Sequence, residues 1–161
     1  MTTTTPRTHL EADPALPTIR IVRDFDAPPE RVYRAYTDPT LVRQWLGPKD
    51  TPTHIEHWDA RTGGNYRYSS WRDGEKIASF YGSFHELRPD QRLVQTFTYE
   101  GAPDCVALET VTFDDLGDGR TRVTTLSVVE SLQIRDAIIA SGMERGVVEG
   151  HEQLDALLAA E

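Results

Sequence analysis

The chain has 161 residues, of which 38% are hydrophobic and 27% are charged, a composition typical of one folded domain. Its 26 acidic and 17 basic residues give a formal net charge of -9, which argues against nucleic acids and anionic membranes as partners, because both need concentrated positive charge. The single cysteine, Cys105, excludes an internal disulfide and fits a reducing, cytoplasmic location.

The N-terminal residues are polar and include Pro6 and Pro14. This composition predicts a flexible tail over residues 1–16 and one domain over residues 17–161. The tail lacks the apolar core of a signal peptide, and no run of the chain is long and apolar enough to insert into a membrane. We therefore expect a cytoplasmic protein, with monomer and homodimer both left open as oligomeric states.

The first predicted elements are one strand and two short helices. Alternating residues over Thr18–Phe25 predict the strand. Pro28-Pro29 then opens a helix over residues 30–37, since proline is well placed in a first helical turn. Asp38-Pro39 starts a second helix, which Gly47-Pro48 ends.

Residues 53–130 are predicted to form a meander of strands separated by turns, of which Asp73-Gly74 is a strong hairpin turn. The predicted strands cover residues 54–59, 65–71, 76–87, 92–99, 106–113 and 121–130. This order of one strand, two helices, six antiparallel strands and a last helix indicates an α+β fold rather than βαβ units. A sheet with one buried face needs a cover, and only the last helix is long enough to provide it.

The last predicted helix, Leu132–Ala160, has an apolar stripe at the period of 3.6 residues. The stripe consists of Ile139, Met143, Val147, Leu154 and Leu158. Gly146 and Gly150 fall within it and Gly142 lies on its edge, although each glycine costs a helix interior about 1 kcal/mol relative to alanine. Two explanations remain open: another backbone packs closely there, or the helix covers a space that side chains do not fill.

Six short segments occur together in an order that resembles a known family. They are Phe25-Asp26-Ala27-Pro28-Pro29-Glu30, Thr37-Asp38-Pro39, Trp45-Leu46-Gly47-Pro48, Asp59-Ala60-Arg61-Thr62-Gly63-Gly64, Arg92-Leu93-Val94-Gln95-Thr96 and Ser141-Gly142-Met143-Glu144. The chain resembles single-domain bacterial homologues of the C-terminal domain of the heat-shock protein 90 ATPase activator, which belong to the START-like (SRPBCC, birch-pollen-allergen-like) superfamily. The resemblance runs from about residue 18 to residue 158.

This resemblance implies a helix-grip fold, in which a curved antiparallel sheet wraps around a long C-terminal helix and leaves a cavity between them. It also implies that most superfamily members bind apolar small molecules, while a few, such as polyketide aromatase/cyclases, catalyse reactions there. Many family members have two adjacent tryptophans before the Gly-Pro, whereas this chain has Trp45-Leu46. The smaller Leu46 either enlarges one end of the cavity or is compensated elsewhere.

The fold and the glycine stripe together predict a cavity for an apolar or aromatic ligand. The helix would contribute Met143, Gly146, Val147, Gly150 and Leu154. The rest of the lining would be Trp45, Tyr66, Tyr68, Trp71, Phe80, Gln95, Phe97, Tyr99, Val111 and Phe113. Apolar walls with a few polar groups are typical of small-molecule sites. The alternative is an ordinary core that is packed without a void.

Glu109 is a further candidate for the cavity, because it shares strand parity with Val111 and Phe113. A carboxylate inside the fold would need a partner such as an arginine. The alternative is a bulge that turns Glu109 to solvent.

Metal and phosphate sites are not favoured by the sequence. His54 and His57 are three residues apart, so on a regular strand they point to opposite faces. The acidic loop 114–119 carries Leu116 where calcium needs an oxygen ligand. Asp59–Gly64 indicates a structural turn, because no lysine and helix follow it as in a phosphate loop. We therefore expect no metal and no cofactor.

The sequence favours a binding protein over an enzyme, with the ligand unnamed. Cys105 has no neighbouring histidine that would activate it as a nucleophile. One alternative is a polyketide cyclase-like or aromatase-like enzyme that uses a tyrosine or histidine in the cavity. Another is a co-chaperone-like interaction module, to which the family name points.

Overall fold

The computed structural model describes residues 7–160, which form eight strands and four helices. The strands are β1 (His9–Ala12), β2 (Thr18–Phe25), β3 (Thr53–Trp58), β4 (Asn65–Arg72), β5 (Glu75–Arg88), β6 (Arg92–Tyr99), β7 (Val106–Gly117) and β8 (Arg120–Val128). The helices are α1 (Pro29–Thr37), α2 (Pro39–Trp45), α3 (Leu132–Ala140) and α4 (Met143–Ala160). The predicted α+β class is confirmed.

These strands form one curved antiparallel sheet in the order β1-β2-β8-β7-β6-β5-β4-β3. β2 and β8, which come from opposite ends of the chain, pair over the whole length of β2. The helix α4 packs against α1 and α2, and its Leu154 and Leu158 join the core residues of the sheet. This is the helix-grip arrangement that the resemblance implies.

The helices begin where the local sequence supplies the right groups. Pro29 lies in the first turn of α1, where its missing N–H is not needed. Asp38 caps α2 by accepting a hydrogen bond from the backbone N–H of Thr40 at 2.9 Å. Ser131 caps α3 by accepting one from the backbone N–H of Ile134 at 3.1 Å. None of the helices in the described part of the chain is long and apolar enough to cross a membrane.

The N-terminal segment includes a strand that the sequence does not predict. Residues 9–12 form β1, which pairs with β2 at one edge of the sheet, so the predicted flexible tail over residues 1–16 is wrong for this part. The side chains of β1 are mostly exposed, and therefore no hydrophobic alternation marks the strand in the sequence. Just before it, Oγ1 of Thr8 lies 2.7 Å from Nδ1 of His151 on α4. Residues 1–6 lie outside the described residues.

The predicted helix over residues 132–160 is two helices. Gly142 has φ 87°, a left-handed conformation that ends helices, and the backbone N–H of Ser141 donates to the carbonyl of Ala137 at 3.0 Å. The single-helix prediction is wrong here because the apolar period continues across a glycine whose backbone breaks the helix. Gly142 thus belongs to the junction of α3 and α4 and not to a buried stripe.

Candidate functional site

The concave face of the sheet carries two hydrophobic clusters. The first, which we call the helix core, consists of Phe25, Ala27, Val32, Ala35, Trp45, Leu93, Val111, Phe113, Val123, Leu154 and Leu158. The second, which we call the aromatic wall, consists of Tyr66, Tyr68 and Phe84, with Phe80 and Phe97 packed against them. The helix core contains the predicted cavity residues Trp45, Val111, Phe113 and Leu154, each at most 6% exposed. These four side chains are enclosed by core neighbours.

The aromatic wall presents a stacked row of rings across β4, β5 and β6. The ring centroids of Tyr68 and Phe80 are 5.0 Å apart, and those of Phe80 and Phe97 are 5.4 Å apart. Tyr99 adds another ring 5.6 Å from Phe80. Phe80 and Phe97 are only partly buried, and Tyr99 is 45% exposed. The row therefore keeps apolar surface that the described side chains do not cover.

The two halves of α4 are packed to different extents. Leu154 and Leu158 in the C-terminal half are 0% and 4% exposed. Met143 and Val147 continue the same stripe toward the N terminus of α4, but they are only partly buried. The apolar stripe of α4 is thus fully buried in its C-terminal half and only partly buried in its N-terminal half.

Gly146 and Gly150 resolve the question of the glycine stripe. A β-carbon at Gly150 would lie 3.2 Å from the carbonyl oxygen of Trp45, and one at Gly146 would lie 3.5 Å from the ring of Pro48. The side chain of Gln153 holds the same segment by donating to the carbonyl oxygens of Trp45 at 3.1 Å and Gly47 at 2.9 Å. The glycines therefore allow close approach of the segment that follows α2, and that segment, not the sheet, is the neighbouring backbone.

Leu46 lies between the two clusters. It is partly buried and packs against both the helix core and the aromatic wall. Its carbonyl oxygen accepts a hydrogen bond from Oγ1 of Thr53 at 2.7 Å. Leu46, where the resemblance implies a second tryptophan in many family members, therefore lies where the two clusters meet.

Glu109 points to the concave side, as parity with Val111 predicts, and its partner is an amide rather than an arginine. Nε2 of Gln95 donates to Oε1 of Glu109 at 2.9 Å, and the two residues are directly opposite each other on β6 and β7. Burial raises the pKa of Glu109, and the hydrogen bond from Gln95 opposes that rise. The partner at the neighbouring position on β6 is therefore an uncharged amide and not a cation such as arginine.

The tyrosines near Glu109 are held as neutral phenols. Burial is the main cause that raises the pKa values of Tyr36, Tyr66 and Tyr68, and the charge of Glu109 adds to it. The hydroxyl of Tyr66 donates to the carbonyl oxygen of Thr96 at 2.6 Å. These groups can donate or accept hydrogen bonds at neutral pH but do not supply charge.

Gly82 lets the Tyr66 hydroxyl reach that carbonyl. A β-carbon at Gly82 would overlap the carbonyl oxygen of Thr96 and lie 2.6 Å from the Tyr66 hydroxyl. On the convex side of this point there is a depression of about 440 Å³. The residues that line it are His57, Asn65, Tyr66, Arg67, Tyr81, Gly82, Ser83, Thr96, Thr98 and Val106.

Trp71 lies on the convex face and not in the predicted cavity. Its ring stacks on His54 with centroids 5.0 Å apart, and its Nε1 donates to Oγ of Ser69 at 2.8 Å. Lys76 lies over the same ring, with Nζ 5.9 Å from the centroid. Alternate residues of a strand face opposite sides. Trp71 comes one residue after Ser70 and therefore faces the side opposite to Ser70, so its predicted place in the cavity is wrong.

The two histidines of β3 lie on the same face, in contrast to the prediction. A bulge between Ile55 and His57 shifts the register, so that His54 pairs with Ser69 and His57 pairs with Arg67. Nε2 of His57 lies 2.6 Å from Oδ1 of Asn65. Within residues 7–160, no three His, Cys, Asp or Glu side chains are grouped so that they could hold a metal ion.

A buried charged group on the concave face was not among the predicted site residues. Arg23 is 3% exposed and forms a two-pronged ion pair with Asp155 of α4, while its Nε has no partner among the described atoms. His151 stands against Phe25 with ring centroids 5.5 Å apart. Burial lowers the pKa of His151 to about 4, and the charge of Arg23 adds to the shift. The sequence carries a signal for this position, because Arg23 lies between Ile21 and Phe25 at the same strand alternation and therefore faces the same side as they do.

The segment 59–64 is a turn, as predicted. Nε of Arg61 donates to Oδ2 of Asp59 at 2.8 Å at the surface. Gly63 and Gly64 join the turn to β5, because the backbone N–H of Gly63 donates to the carbonyl of Phe84 and the N–H of Phe84 donates to the carbonyl of Gly64, both at 2.8 Å. The turn therefore supports the strand that carries part of the aromatic wall.

Comparison with a family model supports the resemblance found in the sequence. Residues 26–159 match the model described as Activator of Hsp90 ATPase homolog 1-like protein. The chain matches no curated protein.

Solved structures share the fold. A protein from Arthrobacter aurescens is 29% identical with a TM-score of 0.85, over 95% of this chain and 92% of that chain. One from Chromobacterium violaceum is 32% identical with a TM-score of 0.77, over 88% of this chain and 96% of that chain. A Plasmodium falciparum protein described as an HSP90 activator is 18% identical with a TM-score of 0.53, over 69% of this chain and 71% of that chain, and this likeness concerns the fold alone.

Proposed function

Because the chain belongs to the family of Activator of Hsp90 ATPase homolog 1-like proteins, whose fold encloses one face of a curved sheet, we propose that it binds an apolar or aromatic small molecule. The ligand would lie between the aromatic wall and the N-terminal half of α4. One observation carries the proposal: the rings of Phe80, Phe97 and Tyr99 remain partly exposed, while the helix core on the same face is closely packed.

The exposed rings supply a driving force for binding. Phe80, Phe97 and Tyr99 form neighbouring apolar surfaces that stay in contact with water. Covering such surface contributes about 25 cal/mol per Å² of apolar area. A flat aromatic ligand would extend the stacked row, since offset stacking of rings at 4.5–7 Å is favourable by roughly 0.5–1.5 kcal/mol per pair.

The partly buried residues of α4 would supply the opposite side of the ligand. Met143 is unbranched and adapts to ligands of irregular shape. Val147 lies one turn further along the same face and is partly buried as well. A side chain enlarged at this position would compete with the ligand for space.

The test uses the neutral probe 2-(1-naphthyl)ethanol, titrated by calorimetry. Val147→Trp should weaken binding at least about tenfold, which corresponds to 1.4 kcal/mol, while Glu144→Trp, at an exposed position of α4, should leave the Kd within about twofold. If Val147→Trp fails to fold, Phe97→Ala takes its place and should also weaken binding. Unchanged affinity in the folded variants would contradict the proposal.

The family description points to a second candidate function, stimulation of a heat-shock protein 90 ATPase. The measurement is the ATPase rate of that chaperone, from the organism that encodes the chain, with and without a saturating amount of the protein. A rate increase that Val147→Trp leaves intact would assign the two functions to different surfaces. An unchanged rate would remove this candidate.

We also propose a cytoplasmic location. The support is that Cys105 is the only cysteine of the chain, which fits a reducing compartment. Fractionation of the source cells, followed with an antibody against the protein, tests this.

A further inference from the structure

Glu109 occupies the middle of a row that crosses the concave face. It pairs with Ser127 of β8 on one side and with Gln95 of β6 on the other, and Gln95 in turn pairs with Phe84 of the aromatic wall. Since directly opposed residues of an antiparallel sheet point to the same face, the carboxyl group lies on the concave face beside the aromatic wall.

Among residues 7–160, the carboxyl group of Glu109 has no counter-charge. It forms no ion pair with any residue from 7 to 160, and its hydrogen bond comes from the uncharged amide of Gln95. This contrasts with Asp155 on the same side of the sheet, whose carboxylate is paired with Arg23. Glu109 is partly buried, and an ionised carboxylate that is shielded from water is unfavourable unless a cation compensates it.

We infer that the ligand of the proposed site carries a protonated amine, which pairs with Glu109 while its apolar or aromatic body packs on the aromatic wall. This inference rests on the proposed function and specifies its ligand class. The rings near Glu109 also favour a cation, because the face of an aromatic ring attracts positive charge. The net charge of -9 adds a general attraction for cationic ligands.

The raised pKa of Glu109 agrees with this assignment. Burial disfavours the carboxylate in the empty protein, and an ammonium group beside it favours the ionised form again. A ligand with a hydroxyl in place of the amine could accept or donate a hydrogen bond there but would not provide this compensation. A carboxylate-bearing ligand would be repelled.

The experiment compares three probes that share one ring system: 2-(1-naphthyl)ethylamine, 2-(1-naphthyl)ethanol and 1-naphthylacetate. With the unmodified protein near pH 7, the amine should bind at least about tenfold more tightly than the alcohol, since hydrogen bonds between charged groups are stronger than those of a neutral hydroxyl. A tenfold change in Kd corresponds to about 1.4 kcal/mol. The acetate should bind most weakly. In Glu109→Gln, which keeps the shape of the side chain, the amine should lose its advantage while the Kd of the alcohol stays within about twofold.

Two negative results can be told apart. Equal affinity of the amine and the alcohol for the unmodified protein overturns this inference and leaves the proposed function standing. Failure of all three probes to bind at millimolar concentration overturns both. The comparison of probes on the unmodified protein decides the matter by itself if Glu109→Gln does not fold. An amine preference that persists in folded Glu109→Gln also overturns the inference, because another group would then be responsible.

Discussion

Gly150 of α4 and Trp45 at the end of α2 meet through their backbones, at a distance that leaves little room for a side chain. A β-carbon at Gly150 would lie 3.2 Å from the Trp45 carbonyl oxygen, which Gln153 also holds by a hydrogen bond. The contact sets how closely α4 approaches the segment between α2 and β3. It also distinguishes Gly150 from Gly146, although the two glycines look equivalent in the sequence.

Gly146→Ala and Gly150→Ala should therefore differ in stability. Alanine at Gly146 meets only the Pro48 ring at 3.5 Å, so the gain in helix propensity should raise the free energy of unfolding by up to about 1 kcal/mol. Alanine at Gly150 must displace a hydrogen-bonded backbone, and we expect this variant to be at least about 1 kcal/mol less stable than Gly146→Ala. Urea unfolding of both variants measures the difference, and equal stabilities would show that α4 shifts freely.

Much of the fold could be predicted because local signals and tertiary structure agree. β2 and β6 have their predicted bounds, since alternating residues end at turn-forming residues in both. β1 could not be predicted, because an exposed edge strand of four residues is held by main-chain bonds that carry no side-chain pattern. The break at Gly142 depends on a backbone angle that composition does not reveal.

The candidate site was harder to predict than the fold. The inward direction of Glu109 follows from strand parity, but its partner Gln95 depends on the register between β6 and β7. The position of Trp71 on the convex face is set by the same parity rule. How deeply the side chains near α4 are buried depends on the distance between Trp45 and Gly150, which is set by tertiary packing.

Gly82→Ala should be strongly destabilising. The new methyl group would overlap the Thr96 carbonyl oxygen and crowd the Tyr66 hydroxyl, so that either the hydrogen bond between them or the contact between β5 and β6 is lost. We expect a cost of at least about 2 kcal/mol. Ser83→Ala, at the next and exposed position, serves as the control and should change stability by less than about 0.5 kcal/mol. Thermal unfolding of the two variants gives the comparison.

The ion pair between Arg23 and Asp155 should contribute more to the free energy of unfolding than a surface ion pair does. Asp155→Ala leaves the guanidinium of Arg23, which is 3% exposed, without a counter-charge. Asp155 itself is 37% exposed. We therefore expect a loss of stability of about 2 kcal/mol, which is less than the cost of breaking a fully buried pair. Asp59→Ala removes the exposed pair with Arg61 and should cost less than about 0.5 kcal/mol. Losses of similar size in denaturant unfolding would contradict this assignment.

His151 should make the fold sensitive to acid. Its pKa is lowered to about 4 in the folded protein, against about 6.5 in the unfolded chain. Between these values the unfolded chain binds a proton that the folded protein does not, so stability is retained above about pH 6.5 and falls as the pH drops toward 4, by an amount on the order of 3 kcal/mol.

The matching variant is His151→Gln, which cannot titrate but can still form a hydrogen bond with Thr8. Its loss of stability between about pH 7 and pH 4.5, followed by urea midpoints, should be smaller than that of the unmodified protein. Carboxylates titrate in the same range in both proteins, so only the difference between the two curves reports on His151. If the two curves were parallel, protonation of His151 would not destabilise the folded protein, and the prediction would be wrong.

The strand β1 bears on how the protein can be shortened for experiments. It covers the outer edge of β2, and β2 is eight residues long. A version that starts at Pro17, where the polar segment ends, would leave the backbone N–H and C=O groups of that edge free. Free strand edges recruit strands from other chains, so such a version is expected to self-associate. Shortened forms should therefore start before Thr8.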